Sequence, residues 1–213
     1  FDMACKLAEE RGLRVTGSEI VGLIPLNALL MAGKHYLIKQ RSTSGVPEAG
    51  LVEVAVQSLG LADVSSFVPK EKIIDYPVND SSNKLAGMSL QGFADELSTN
   101  SAAPGGGSVA ALVGGLGSAL VSMVAALTYE KKGFEERREE MEAIGTKAQT
   151  IKQQLTALID EDTDAFNAVL EANRLADSSD EEMTAKETAI LEANKRAITV
   201  PLEVARLSHQ VLE

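Results

Sequence analysis

Residues 103–129 read APGGGSVAALVGGLGSALVSMVAALTY: a proline, three successive glycines and a serine, then a run with no charged residue before Glu130. Each glycine disfavours helix by about 1 kcal/mol relative to alanine. The chain is therefore expected to be loop through Gly105, Gly106 and Gly107 and helical from about Ser108. In the helix Val109, Leu112, Val113, Leu116, Leu120, Met123, Val124 and Leu127 recur at steps of three and four, the helical period. Two rows of small residues, Ala111/Gly115/Ala119 and Gly114/Ser118/Ser122, allow a second helix to approach closely. With no polar face to offer water, the helix is predicted to be buried nearly all round. Its length would span a bilayer, but it has no basic flank at its start and only Tyr129 as an interfacial aromatic, so no membrane span is expected. The Gly105-x-Gly107-x-x-Ala110 spacing copies a dinucleotide fingerprint, yet Leu97–Ala103 is not the strand such a site requires. What remains is a set of free N–H groups at a helix start, suited to a substrate carboxylate or other anion, beside the plainer alternative of a tight turn before a buried helix.

Working outward, the 213 residues permit one or two domains and a sizeable core. The net charge is −11, of which residues 84–213 carry −9 from 12 basic and 21 acidic side chains. With no basic stripe, no nucleic-acid partner is expected. The single cysteine, Cys5, excludes an internal disulfide and fits a reducing, cytoplasmic setting; it reads as a core residue. Residues 1–12 read as the end of a helix, Arg14–Ile24 as a strand stopped by Pro25, Leu26–Tyr36 and Pro47–Leu59 as helices, and Val68–Tyr76 as a second strand. Residues 1–76 are thus an incomplete α+β segment. Residues 77–87, rich in turn formers, read as a linker, and residues 88–213 as an all-α helical bundle, making the chain mostly α. That part comprises a short helix to Thr99, the apolar helix, a break at Gly133, and a very long helix from Phe134 to about Arg174. Ser179-x-x-Glu182 is then a capping box, opening a last helix in which Pro201 should produce a kink or break. The chain looks cut from a longer protein at both ends.

In the long helix Met141, Ile144, Ala148, Ile151, Leu155, Leu158, Asp162, Ala165, Val169 and Ala172 form a heptad seam. Asp162 is its only charge, flanked by Leu155, Leu158, Ile159, Phe166 and Val169, whereas Asp160, Glu161 and Asp164 should point to water. A carboxylate among apolar neighbours costs several kcal/mol if charged and unpaired, on the order of the desolvation of an ion. Asp162 is therefore expected either to move protons or to sit in a buried ion pair or fix register. Spacing leaves both open.

Pro104-Gly-Gly-Gly-Ser108 with its small-residue helix, Thr128-Tyr-Glu-Lys-Lys132, Asp160-Glu-Asp-Thr-Asp-Ala-Phe166 and Val200-Pro-Leu202 together resemble the cyclodeaminase domain of formimidoyltransferase-cyclodeaminases, over about residues 88–213. Residues Arg14–Pro25 and Phe67–Tyr76 resemble the end of the formimidoyltransferase domain. The resemblance implies a bifunctional folate enzyme of histidine degradation. One half transfers a formimino group from formiminoglutamate to tetrahydrofolate, and the other closes the product to 5,10-methenyltetrahydrofolate with loss of ammonia. It implies a helical bundle that dimerises, a tetrahydrofolate derivative as substrate with no further cofactor or metal, and an acid/base carboxylate mapping onto Asp162, with Asp160 and Asp164 as alternatives. Gly105, Gly106, Gly107 and Ser108 would shape the pocket, and Lys131 and Lys132 are candidate anchors for the carboxylate tail of a polyglutamylated folate, although lysines at a helix end also suit a solvated flank. Neither His35 nor His209 matches the transferase's catalytic histidine motif, so no transferase activity is expected of this chain. The family's bundle continues beyond Glu213, which makes activity of this stretch alone doubtful. The rival readings are a methenyltetrahydrofolate cyclohydrolase and a non-enzymatic helical assembly module.

Overall fold

The computed structural model describes residues 1–78 and 85–213, with nine α-helices among them: α1 Asp2–Glu9, α2 Leu26–Lys39, α3 Glu48–Ser58, α4 Pro69–Lys72, α5 Asp75–Val78, α6 Leu90–Leu97, α7 Gly106–Glu130, α8 Arg138–Asn173 and α9 Asp180–Leu212. The chain is mostly α, as expected. The central part of the expected linker, 79–84, lies outside the described residues. Two compact units are present, Phe1–Asp80 with Ala125–Thr146, and Ser81–Val124 with Lys147–Glu213. The end of α7 and the start of α8 thus group with the first stretch of chain, a division that the change in sequence character near residue 80 does not show.

In the first unit α2 packs on α3 around Leu29, Val52, Ala55, Leu61 and Ile73. The approach is close enough that a Cβ on Gly33 would collide with the Leu51 backbone. The Asp75 carboxylate accepts the Leu26 N–H at 2.7 Å, satisfying a free donor in the first turn of α2. Asp2 holds α1 to α2 by accepting from the Tyr36 hydroxyl at 2.8 Å and the Lys39 ammonium at 2.7 Å. Glu142 of α8 accepts from the Thr43 hydroxyl at 2.6 Å and from the N–H and hydroxyl of Ser44, and Gly45 lies against Gly145.

Neither expected strand forms. Among the described residues, strand pairing is limited to one parallel bridge, Ile24 with Ile73. A β-branched alternation makes a strand only where a neighbour offers matching N–H and C=O groups. Arg14–Leu23 forms no such ladder: its Ser18 N–H donates to the Gly60 carbonyl at 3.2 Å, and Val21 stands 93% exposed. In the second segment Pro69 takes the first position of α4, where its fixed φ and missing N–H suit a helix start.

In the second unit the heptad seam of α8 behaves as predicted: Ala148, Ile151, Leu155, Leu158, Ala165 and Ala172 are all buried. Of these, Ile151, Leu155, Leu158 and Ala165 meet Phe93 of α6, Ala111 of α7, and Val200, Val204 and Leu207 of α9 in one core. The capping box opens α9 through reciprocal bonds of 3.2 Å between Ser179 and Glu182. Pro201 does not break α9, which is helical on both sides of it.

Burial of α7 is the main departure. Its small residues form one interior stripe, Ala111, Gly115, Ser118, Ser122 and Ala125. Ser118 donates to the Ala148 carbonyl at 2.7 Å, Ser122 accepts from Gln149 at 2.8 Å, and a Cβ on Gly114 would lie 3.2 Å from Leu155. Close approach along this stripe leaves the opposite side uncovered: Val113, Leu116, Leu120, Met123, Val124 and Leu127 are 51–64% exposed. The helix is therefore packed on one side and open on the other. By length and composition α7 could cross a membrane; its interior stripe instead hydrogen-bonds to a helix whose outer face is charged.

Candidate functional site

The helix α7 begins at Gly106, two residues earlier than the glycine run suggests. Its first turn presents N–H groups that no carbonyl of the same helix can accept. Asp162, 54 residues further along on α8, supplies the acceptor: its Oδ2 receives the Ser108 N–H at 2.9 Å. The Ser108 hydroxyl lies 3.2 Å from the same oxygen, 2.9 Å from the Ile159 carbonyl and 3.3 Å from the Thr163 hydroxyl. Asp162 is half-buried and, among the described residues, makes no ion pair. The partner of this seam carboxylate is thus a helix N-terminus, where the backbone dipoles favour negative charge.

This packing gives the glycines different tasks. A Cβ on Gly107 would fall on the Asp162 carboxylate, whereas one on Gly105 or Gly106 would meet nothing. None of the three has positive φ, so Gly107 is required for close approach and not for backbone conformation. Among the described residues Oδ1 of Asp162 accepts no hydrogen bond, which leaves one oxygen fixed and one open beside Gly107.

Asp162, Gly107 and Ser108 meet at one point. Ser108, however, is fully buried and touches Asp162, not the outside of the loop. Lys131 and Lys132 follow the end of α7 and belong to the first unit. Both are exposed, and the Lys131 ammonium stands 4.8 Å from the centre of the Phe134 ring. Asp164 and Glu161 face water as expected. Asp160 does not: it is half-buried and accepts the Leu85 N–H at 2.8 Å. That bond withdraws one of its oxygens into holding the segment before α6. Thr163 is the member of the cluster that sequence reasoning missed, because a threonine in an acidic motif carries no periodic signal.

The family model "Formiminotransferase-cyclodeaminase" matches residues 89–213, and the model "Formiminotransferase domain" matches residues 1–79. A formimidoyltransferase-cyclodeaminase from Mus musculus is 40% identical over 213 residues, covering 99% of this chain and 39% of the relative. One from Dictyostelium discoideum is 37% identical over 212 residues, 98% of this chain and 38% of the relative. A methenyltetrahydrofolate cyclohydrolase from Methylorubrum extorquens is 38% identical over 124 residues, 58% of this chain and 60% of its own length. A crystal structure of a formiminotetrahydrofolate cyclodeaminase from Thermotoga maritima matches with 35% identity and a TM-score of 0.49, over 56% of each chain. The chain spans 39% of the length of the first of these relatives, and with one family model covering more than half of it, it belongs to the formiminotransferase-cyclodeaminase family.

Proposed function

We propose that this chain carries the acid/base centre of a folate-dependent cyclodeaminase. It would convert 5-formimidoyltetrahydrofolate to 5,10-methenyltetrahydrofolate and ammonia, in a protein that also has a glutamate formimidoyltransferase domain. The observation that carries the reading is the divided carboxylate of Asp162, with Oδ2 tied to the first turn of α7 and Oδ1 open. In ring closure N10 of the folate bonds to the carbon of the protonated formimino group (CH=NH2+) and gives up a proton, and the carbon–nitrogen bond to the resulting amino group then breaks as that nitrogen gains one, leaving as ammonia with the positive charge on the methenyl bridge. One positioned carboxylate can accept the first proton at Oδ1 and return it to the leaving ammonia. Gly105 and Gly106, with open space beside them, would let the substrate approach the backbone. Lys131 and Lys132 remain candidate anchors for a polyglutamate tail.

The transferase-side and cyclodeaminase-side matches at 1–79 and 89–213 support the two-domain division at the 77–87 linker. The open face of α7 supports a homo-oligomer, with a second copy packing on the bundle, and the lone free cysteine is compatible with a cytoplasmic enzyme. The test is ammonia release from 5-formimidoyltetrahydrofolate by the intact protein. Asp162→Asn keeps the side-chain shape and an acceptor oxygen but cannot exchange the proton, so activity should fall on the order of 10²- to 10⁴-fold. Near-normal turnover by a folded variant would leave Asp162 a helix cap and send the search to Asp164 and Asp160.

A second reading, hydrolysis of the methenyl bridge, rests on the cyclohydrolase relative over 58% of this chain. Water would then replace N10 as the group that Oδ1 deprotonates. Release of ammonia from the formimino compound separates the two, because the hydrolase reading yields none.

A further inference from the structure

Ser108 has no contact with solvent and so cannot line a substrate pocket. It nevertheless makes more polar contacts than one hydroxyl can use at once. Its oxygen carries a single proton, and two groups that can only accept compete for it: the Ile159 carbonyl at 2.9 Å and Oδ2 of Asp162 at 3.2 Å. Thr163, 3.3 Å away, can donate to the lone pair left over. A hydrogen bond to an ionised acceptor is roughly twice as strong as one to a neutral acceptor. The charge on Asp162 therefore decides where the serine proton points. When the carboxylate is ionised, the proton turns to Oδ2 and joins the Ser108 N–H there. When Oδ1 has taken a proton, Oδ2 becomes an ordinary carbonyl oxygen and the serine proton turns to Ile159. The serine neither gains nor loses a proton in either state.

We propose, resting on the acid/base reading of Asp162, that Ser108 is a positioning residue for the reaction. Its N–H and hydroxyl anchor Oδ2, making Oδ1 the oxygen that exchanges protons with the substrate, and its hydroxyl switches between Asp162 and Ile159 as Asp162 changes charge. Because Gly107 leaves no side chain beside the carboxylate, Ser108 is what restrains its rotation. Without the hydroxyl, Oδ2 would be held by the Ser108 N–H alone.

The experiment is steady-state kinetics of the intact protein with 5-formimidoyltetrahydrofolate, comparing Ser108→Ala, Asp162→Asn and wild type, with folding checked by circular dichroism. For Ser108→Ala we expect kcat to fall about 10- to 100-fold, with KM within about 2-fold because the residue does not touch substrate. An unchanged kcat in folded Ser108→Ala, with Asp162→Asn inactive, would overturn the role of Ser108 and leave that of Asp162 standing. A raised KM at constant kcat would overturn it too, by making the loop a binding element. Full activity of Asp162→Asn would instead remove the acid/base reading itself. Should the alanine variant not fold, Ser108→Cys carries the same comparison: a thiol fills the site but donates poorly, and wild-type kcat in that variant would refute the proposal.

Discussion

The requirement for glycine at 107 can be put to a quantitative test with its neighbour as control. In Gly107→Ala the new Cβ would occupy the position of the Asp162 carboxylate, so the carboxylate must swing away and release the Ser108 N–H, now bound at 2.9 Å. A hydrogen bond to a charged acceptor contributes about 1.5–3 kcal/mol. Alanine in place of glycine in a helix returns up to about 1 kcal/mol. The net expectation is a loss of about 0.5–2 kcal/mol of stability, with loss of cyclodeaminase activity on the same scale as Asp162→Asn because Oδ1 is displaced. Gly106→Ala adds the same methyl group one residue earlier, where nothing stands within 4 Å. It should be neutral or stabilising by up to about 1 kcal/mol. Urea denaturation of the two variants of the intact protein, followed by circular dichroism and paired with ammonia-release assays, measures both quantities. Equal stability and equal activity of the two would show that Asp162 does not sit against Gly107 in solution, and the site geometry would fall with it.

Two further outcomes follow from other parts of the molecule. On the open face of α7, Leu120→Lys should weaken self-association of the intact protein by about tenfold or more, the usual effect of truncating a central interface anchor; an unchanged mass by analytical ultracentrifugation across a dilution series would refute a second copy on that face. The attachment of α1 to α2 should hold best between about pH 4 and pH 10, the ordinary range over which Asp is ionised and Tyr neutral. Lys39, then Tyr36 and His35, hold the Asp2 carboxyl far below the usual carboxylate range, so the contact weakens as pH falls below the unfolded value. Burial first, and then Asp2, push the Tyr36 phenol up to about 12, so the contact also weakens as pH rises from about 10 toward that value. Amide exchange in Asp2–Glu9 reads this directly, and flat protection from pH 3 to pH 11 would rule it out.

What the sequence made legible and what it hid divide by range. The α8 seam could be read because burial of Ile151, Leu155 and Leu158 follows from spacing within one helix, and the capping box of α9 because Ser179 and Glu182 stand three residues apart. The two strands could not be judged that way, since pairing depends on a neighbour, and among the described residues bridge pairing is limited to Ile24 with Ile73. The helix α7 was misjudged for a related reason. Spacing correctly picked out its small residues as the place of close approach, but how many sides are covered is set by other elements, and here its large residues stay outside.

Asp162 belongs to the hidden class in one respect only. Periodicity placed it on the seam, but its partner is a backbone N–H 54 residues earlier, which no local pattern reveals. The chain solves the same problem twice: Asp75 reaches back 49 residues to the first turn of α2, as Asp162 does to α7. A distant aspartate at a helix start is therefore not evidence of chemistry by itself. The two sites differ in what surrounds the carboxylate. Asp75 answers a leucine N–H after a proline, where any acceptor would serve. Asp162 lies against a glycine that cannot be enlarged and beside a buried hydroxyl with one proton for two acceptors. Capping alone requires neither feature, and the proposed proton exchange at Oδ1 uses both.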